Sequence, residues 1–407
     1  MFSRLDNFDP LKQLPKMVAI AGAVTIGTGV LYCIYQFAFS SSTSFMDKTL
    51  KWDPSSINDR TAGLFLMCAV GDAKGIPFEM KTYEEIQAHP GRNKLYAKCT
   101  DHPLMPVGYG PGKQTDDTQL TCAMARAIMK ANCVNMEVMA EEHIKEWQIS
   151  VAGWGGTKKS IEKLSRGIRW SKTGRESAIG NGVMMKMCPL AFFYAFSKNY
   201  NKEEQLEEIS TLTKMTHGSP STLVTTALFT KFAEYLYSHP STLDTSSERK
   251  DFLKKVIGLA EEMEQLYIPK TLEDEEWISK SQYNDYDEYL RTVKAVSPQL
   301  KQLLANFSTL TDQKLISISN GGGFFCVDSL VMIIGLLMRK PPTFEVILDA
   351  VYIGGDTDSN AAMIGGIIGG MKGLKGLEVP EDRYITQLVG WRSLLDLSQR
   401  FAKLFNA

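Results

Sequence analysis

The chain lacks most of the features that would settle its class at a glance. Its 407 residues carry a formal charge of −1, with charged residues scattered rather than in blocks. The sequence therefore implies no nucleic acid and no other polyanion as a partner. Seven cysteines (Cys33, Cys68, Cys99, Cys122, Cys133, Cys188 and Cys326) are dispersed, with no Cys-x-x-Cys. That spacing excludes a zinc ribbon, and an odd number set in apolar runs excludes a disulfide framework. Neither a Gly-x-Gly-x-x-Gly nor a Walker spacing occurs, which removes the Rossmann and P-loop readings. Alternating apolar and polar stretches are almost absent, so the expected fold is all-α.

Charge is also missing from Met17 to Phe39. At about 1.5 Å per residue that run is long enough to cross a bilayer. Gly22, Gly27 and Gly29 give it a small-residue face. A signal peptide fits less well, because the run exceeds a usual apolar core and Ser40–Ser44 offers no small-x-small cleavage site. A buried core helix is the other bland reading. The expectation is a tail over 1–16, a single transmembrane helix over 17–39 and a polar linker over 40–59. Arg4, Lys12 and Lys16 barely outweigh Lys48 and Lys51, so orientation stays open. Residues 1–16 lack the Arg-rich character of a presequence. An uncleaved inner-membrane anchor needs none, and the mitochondrial inner membrane stands as one candidate location.

From 60 to 407 the pattern is a helical body. Apolar residues at helical spacing mark 60–70, ending in a turn at Gly71-Asp72, then 119–131, 134–148, 160–168, 184–196, 203–215 and 220–237. Further helices are expected over 328–338, 343–352, 360–371 (rich in small residues) and 387–405. The acidic and aromatic stretch 271–291 has no clean apolar face and reads as a peripheral insertion, a candidate contact surface for other subunits of a membrane complex.

What the body does have is two acidic clusters far apart in the chain. They are Thr115-Asp116-Asp117-Thr118 and Asp356-Thr357-Asp358-Ser359, each at the entry to a helical stretch. A single Asp or Thr there is most often an N-cap. One cap needs one oxygen, however, and each cluster supplies several. Adjacent carboxylates repel unless a cation or a helix N-terminus offsets them. Carboxylate and hydroxyl oxygens without His or Cys select Mg²⁺, Mn²⁺ or Ca²⁺ over zinc, and two clusters could share a pair of ions. Glycine clusters at 153–156, 180–182, 321–323 and 354–355 allow close backbone approach to a ligand, or are ordinary turns. Spacing alone lifts neither Glu79 nor His217 above a surface or helix-entry residue.

Taken in order, these stretches resemble the ADP-ribosylglycohydrolase family, which includes the dinitrogenase reductase-activating glycohydrolases. The matching residues are Gly71-Asp72-Ala73-Lys74-Gly75 through Glu79, then Thr115-Asp116-Asp117-Thr118, then Gly180-Asn181-Gly182 with Met185 and Pro189. Thr216-His217 with Pro220 follows, and last Gly354-Gly355-Asp356-Thr357-Asp358 with Ala361, Ala362 and Gly365. Ser359 stands where Thr is usual, and Lys186 where Arg is commoner, keeping charge but losing a planar fork.

The resemblance implies an orthogonal multi-helix bundle over 60–407, with a cleft holding two Mg²⁺ ions (Mn²⁺ as an alternative). It implies Thr115, Asp116, Asp117, Asp356, Asp358 and Ser359 as metal ligands, and Glu79 as the acidic residue beside the scissile bond. Gly155, Asn181, Gly182 and His217 would hold the ribose and diphosphate of an ADP-ribose-containing substrate. The expected function is a membrane-anchored hydrolase of ADP-ribosyl bonds. The rival is an accessory subunit of a membrane complex, in which the fold serves as a scaffold.

Overall fold

The computed structural model describes residues 54–106, 108–149, 154–175, 177–197, 200–268, 286–380 and 382–405. The expected transmembrane helix over 17–39 and most of the 271–291 stretch lie outside the described residues. Among the described residues, no helix is long and apolar enough to cross a membrane.

The body is all helix, as the missing alternation implies. In chain order the helices are α1 (Pro54–Gly75), α2 (Tyr83–Ala88), α3 (Asp116–Ala131), α4 (Met136–Ile149), α5 (Lys158–Ser165), α6 (Cys188–Phe196), α7 (Lys202–Lys214) and α8 (Pro220–Ser238). They continue with α9 (Ser246–Leu266), α10 (Tyr286–Val293), α11 (Val296–Ala305), α12 (Asp312–Ile318), α13 (Cys326–Arg339), α14 (Phe344–Tyr352), α15 (Thr357–Gly376), α16 (Arg383–Thr386) and α17 (Trp391–Ala402). Among the described residues, extended pairing is confined to two isolated bridges, Arg175 with His217 and Gly180 with Phe325.

α8 is buried on every side from Pro220 to Glu234, and α15 from Thr357 to Met371. A helix buried on every side is a core helix, here with its polar side chains buried too. The pair that sets the architecture is α1 against α15. A Cβ on Gly71 would lie 2.2 Å from the Ala361 carbonyl oxygen, and one on Gly365 would lie 2.1 Å from that of Met67. Only hydrogen at these positions lets the two backbones touch. Arg60 fastens the far end, its Nε donating to the Gly370 carbonyl and its Nη2 to that of Tyr237, both at 2.6 Å.

That packing corrects one expectation. Gly71-Asp72 is not a turn: α1 runs unbroken to Gly75, because its glycines face a neighbouring backbone instead of ending the helix. α1 also begins at Pro54, so the last part of the expected linker is helical. The expected 387–405 helix is broken, with Gly390 in the left-handed region and the Val389 amide donating to the Gly112 carbonyl at 2.8 Å. Helices α2, α9, α11 and α12 had no counterpart in the expectations. Where residues 286–291 are described they open α10, which buries Tyr289 and Val293. The described cysteines, Cys68, Cys99, Cys122, Cys133, Cys188 and Cys326, are free thiols.

Candidate functional site

The two acidic clusters meet. Thr115 is the N-cap of α3 and Asp356 that of α15, so two helix N-termini, each with partial positive charge, point at one place. The Ser359 hydroxyl donates to Asp117 Oδ2 at 3.3 Å across 242 residues of sequence. One carboxylate oxygen from each of Glu79, Asp356 and Asp358 lies within 4.8 Å of the others.

Behind the first cluster sits Asp72, fully buried near the end of α1. It accepts the Thr115 amide (3.0 Å) and hydroxyl (3.0 Å), and the Thr118 amide (3.1 Å) and hydroxyl (2.6 Å). A carboxylate holding four donors of one helix turn fixes that turn rigidly against α1. The second cluster is held differently. Asn181 Nδ2 donates to Asp356 Oδ2 at 2.8 Å and contacts Ser329 Oγ at 3.2 Å. Ser329 donates to Asn360 Oδ1 at 2.6 Å, and Asn360 Nδ2 donates to the Gly322 carbonyl at 2.8 Å. Gly355, at φ +81°, lets the chain pass against the Gly321 carbonyl, which a Cβ would meet at 2.2 Å.

The electrostatics suit a cation. Burial first, then the charges of Asp72, Asp116 and Asp356, push Asp117 well above the usual carboxylate range. Burial, then Glu79, Asp356 and Asp117, does the same to Asp358. Burial, with Asp72 and Glu79 adding to it, raises Asp116 to about 7. Burial raises Asp72 to about 6 against its four hydrogen bonds. The buried Asp117 Oδ1, Asp356 Oδ1 and Asp358 Oδ1 have no hydrogen-bond partner. Orphaned buried carboxylate oxygens are costly, and hard divalent cations seek such donors. The residues fit a metal ion.

Glu79 sits at the edge of this cluster, raised mainly by burial and by Asp356, and lowered by the hydrogen bond from His102. His102 Nε2 lies 2.5 Å from Glu79 Oε2. The amides of Leu104 and Met105 both donate to His102 Nδ1 at 3.0 Å. An Nδ1 that accepts carries no proton, so the hydrogen-bond network assigns the Nε2–H tautomer, which donates to Glu79.

The remaining expected residues fall on one wall, with different relations to the centre. Gly155 is exposed, and its neighbour Trp154 donates its amide to Asp116. Gly182 packs so tightly that a Cβ would lie 2.6 Å from Thr157 Oγ1 and 3.4 Å from His217 Cε1. His217 is buried behind that loop, with Nδ1 2.8 Å from Thr216 Oγ1, and burial plus the charges of Lys186 and Arg175 lower it to about 3. It is therefore a buried, neutral part of that wall. The Asn181 amide is committed to Asp356, so it orients a candidate metal ligand. Asp72 and His102 had no role assigned from sequence. A buried Asp inside an apolar helix could have flagged the first; nothing in the sequence links His102 to Glu79.

A family model described as ADP-ribosylglycohydrolase matches residues 53–407. The chain belongs to the ADP-ribosylglycohydrolase family. It is a family of hydrolases, and the resemblance carried by the five motifs is borne out. An uncharacterized protein of Archaeoglobus fulgidus is 26% identical over 86% of this chain and 97% of that protein. The ADP-ribosyl-[dinitrogen reductase] glycohydrolase of Rhodospirillum rubrum is 28% identical, over 33% of this chain and 45% of that protein. The ADP-ribosylarginine hydrolase Tri1 of Serratia proteamaculans is 19% identical over 84% of this chain and 78% of that protein. A solved structure described as an ADP-ribosylglycohydrolase-related protein complex superposes with a TM-score of 0.57 at 19% identity. It covers 86% of this chain and 99% of that one, a likeness of fold.

Proposed function

We propose that this protein is an Mg²⁺-dependent hydrolase releasing ADP-ribose from a modified protein or a small ADP-ribosyl conjugate. The observation that carries the proposal is the convergence of Glu79, Asp356 and Asp358 with three orphaned buried carboxylate oxygens. Thr115, Asp116, Asp117, Asp356, Asp358 and Ser359 would hold the metal. Divalent ions there would supply charge neutralisation and polarise ribose hydroxyls and water.

The chain's own residues do the rest. Departure of the group on the anomeric carbon builds positive charge on the ribose ring, and the surrounding carboxylates favour that charge. Glu79, made more basic by burial, takes a proton from the attacking water, which must lie within hydrogen-bond reach. His102 holds one Glu79 oxygen and leaves the other for that proton. Gly155 and Gly182 leave a backbone wall without bulky side chains, suited to a ribose and a diphosphate.

The test is release of ADP-ribose from arginine-ADP-ribosylated protein and from O-acetyl-ADP-ribose, with Mg²⁺ and then with chelator. Chelator-sensitive release from either supports the reading; none from both rejects it. We also propose membrane anchoring by residues 17–39, on the length and apolarity of that run alone. Alkaline carbonate extraction checks it: recovery in the supernatant counts against an anchor.

A further inference from the structure

The whole-chain charge balance conceals one local imbalance. Residues 158–175 hold seven basic side chains against the single acid Glu162, a net +6 on a chain of −1. Lys158, Lys159, Arg166, Arg169 and Lys172 are exposed. Lys158 reaches Glu162 only at 4.0 Å, and Arg169 lies over the Trp170 ring. Among the described residues, Lys159, Lys163, Arg166 and Lys172 have no ion-pair partner.

This segment is presented rigidly beside the site. It leaves the wall at Trp154, whose amide holds Asp116, and at Thr157, which packs on Gly182. It returns at Arg175, whose Nη2 donates to the Gly156 carbonyl at 2.9 Å and whose carbonyl accepts the Gly218 amide at 2.8 Å. Between those ends, Ile161 and Leu164 are buried. Ser160 Oγ donates to the Thr216 carbonyl at 3.0 Å, and Thr173 Oγ1 to that of Met215 at 2.8 Å. Trp170 Nε1 donates to Glu137 at 3.0 Å. Lys158, Lys159, Arg166, Arg169 and Lys172 are the exposed basic side chains on a framework pinned to the wall beside Asp116 and His217.

We propose that this basic ridge docks the acidic face of the ADP-ribosylated protein whose modification the site removes. The inference rests on the hydrolase reading above. An acidic protein is favoured over an anionic lipid surface by position: the two ends of the ridge adjoin the exposed Gly155 and Gly156, beside Asp116, so a partner reaching those ends comes next to the substrate group. Unpaired, outward charge on both partners speeds encounter and gives a salt-dependent affinity without altering the chemical step.

The experiment uses the full chain and the variant Lys159→Glu/Arg166→Glu/Arg169→Glu, all at exposed positions outside the site. The probes are α-lactalbumin (acidic) and hen lysozyme (basic), each ADP-ribosylated on arginine, and ADP-ribosylarginine itself. The expected result is a roughly tenfold rise in KM and in Kd for the acidic carrier. Turnover of ADP-ribosylarginine is unchanged, the basic carrier shows no loss, and only the wild type shows a salt-dependent Kd. The triple Gln variant falls in between. An equal loss on all three probes, or no loss on the acidic carrier, overturns the proposal. So does ridge-dependent binding to phosphatidylserine vesicles with the acidic carrier unaffected. Should the wild type turn over no probe, the arginine linkage is excluded as its substrate, while the Kd comparison still decides the docking surface.

Discussion

The Ser359 hydroxyl lies 3.3 Å from Asp117 Oδ2, joining helices α15 and α3 at their N-termini. These helices meet in space although 242 residues separate the two side chains, and what they enclose is a group of carboxylates raised by burial and by one another. Such a group costs stability without a cation and gains it with one.

Asp358→Asn should therefore separate binding from folding. Removing this carboxylate takes a ligand from the candidate ion, so Mn²⁺ affinity is expected to fall by about 100-fold or more, and turnover with it. The metal-free protein should melt at the same or a higher temperature, because a charge disfavoured by burial and by Glu79, Asp356 and Asp117 has gone. Isothermal titration with Mn²⁺ and a thermal scan in chelator read the two effects. Unchanged Mn²⁺ affinity would remove Asp358 from the ligand set.

His102 offers a second separation. His102→Ala frees the Glu79 carboxylate from its donor, and kcat should drop by about tenfold to a hundredfold with KM little changed. His102→Gln should recover most of it, since an amide can both donate to Glu79 and accept from the Leu104 or Met105 amide. In ¹⁵N-histidine spectra the His102 signal should be that of the Nε2–H tautomer. A kcat of His102→Ala equal to wild type would make the contact merely structural.

The candidate ligands were legible in the sequence because each cluster is local. Three or four consecutive oxygen-bearing residues at a helix entry exceed what capping needs, and Thr115 does cap α3 while taking part in the site. Asp72 and His102 were not legible as partners, since each acts on a residue brought to it by folding, 43 positions away for Thr115 and 23 for Glu79. The helical class was legible from missing alternation. The course of α1 was not: Gly71 looks like a stop signal in one dimension and is a contact with Ala361 in three.

The raised carboxylates also fix a pH dependence for the metal-free protein. Asp72 at about 6 and Asp116 at about 7 stand above the roughly 3.9 of an unfolded Asp. Between those limits the folded state binds more protons than the unfolded one, so stability falls as pH rises. The melting temperature in chelator is expected to decline from about pH 5 to about pH 8. Saturating Mg²⁺ should raise it more at the upper end, where the carboxylates are charged. A metal-free melting temperature that climbs steadily across this range would contradict the placement of these acids in a buried, mutually repelling group.

The close approach of α1 and α15 carries the last prediction, because it holds Asp72 and Asp358 in register. A Cβ on Gly365 would stand 2.1 Å from the Met67 carbonyl oxygen, and one on Gly75 2.5 Å from the Asp358 Cα. Neither neighbour is the yielding end of a side chain; both are backbone, so the helices must separate. Gly365→Val should cost on the order of 3 kcal/mol, read by urea denaturation. Gly75→Ala should cost less in stability, being at the end of α1, but should displace the α15 N-terminus that carries Asp358. The expected signature is a weakened Mn²⁺ affinity out of proportion to the loss in stability. If Gly75→Ala binds Mn²⁺ as tightly as the wild type, the register of the two helices does not set the site.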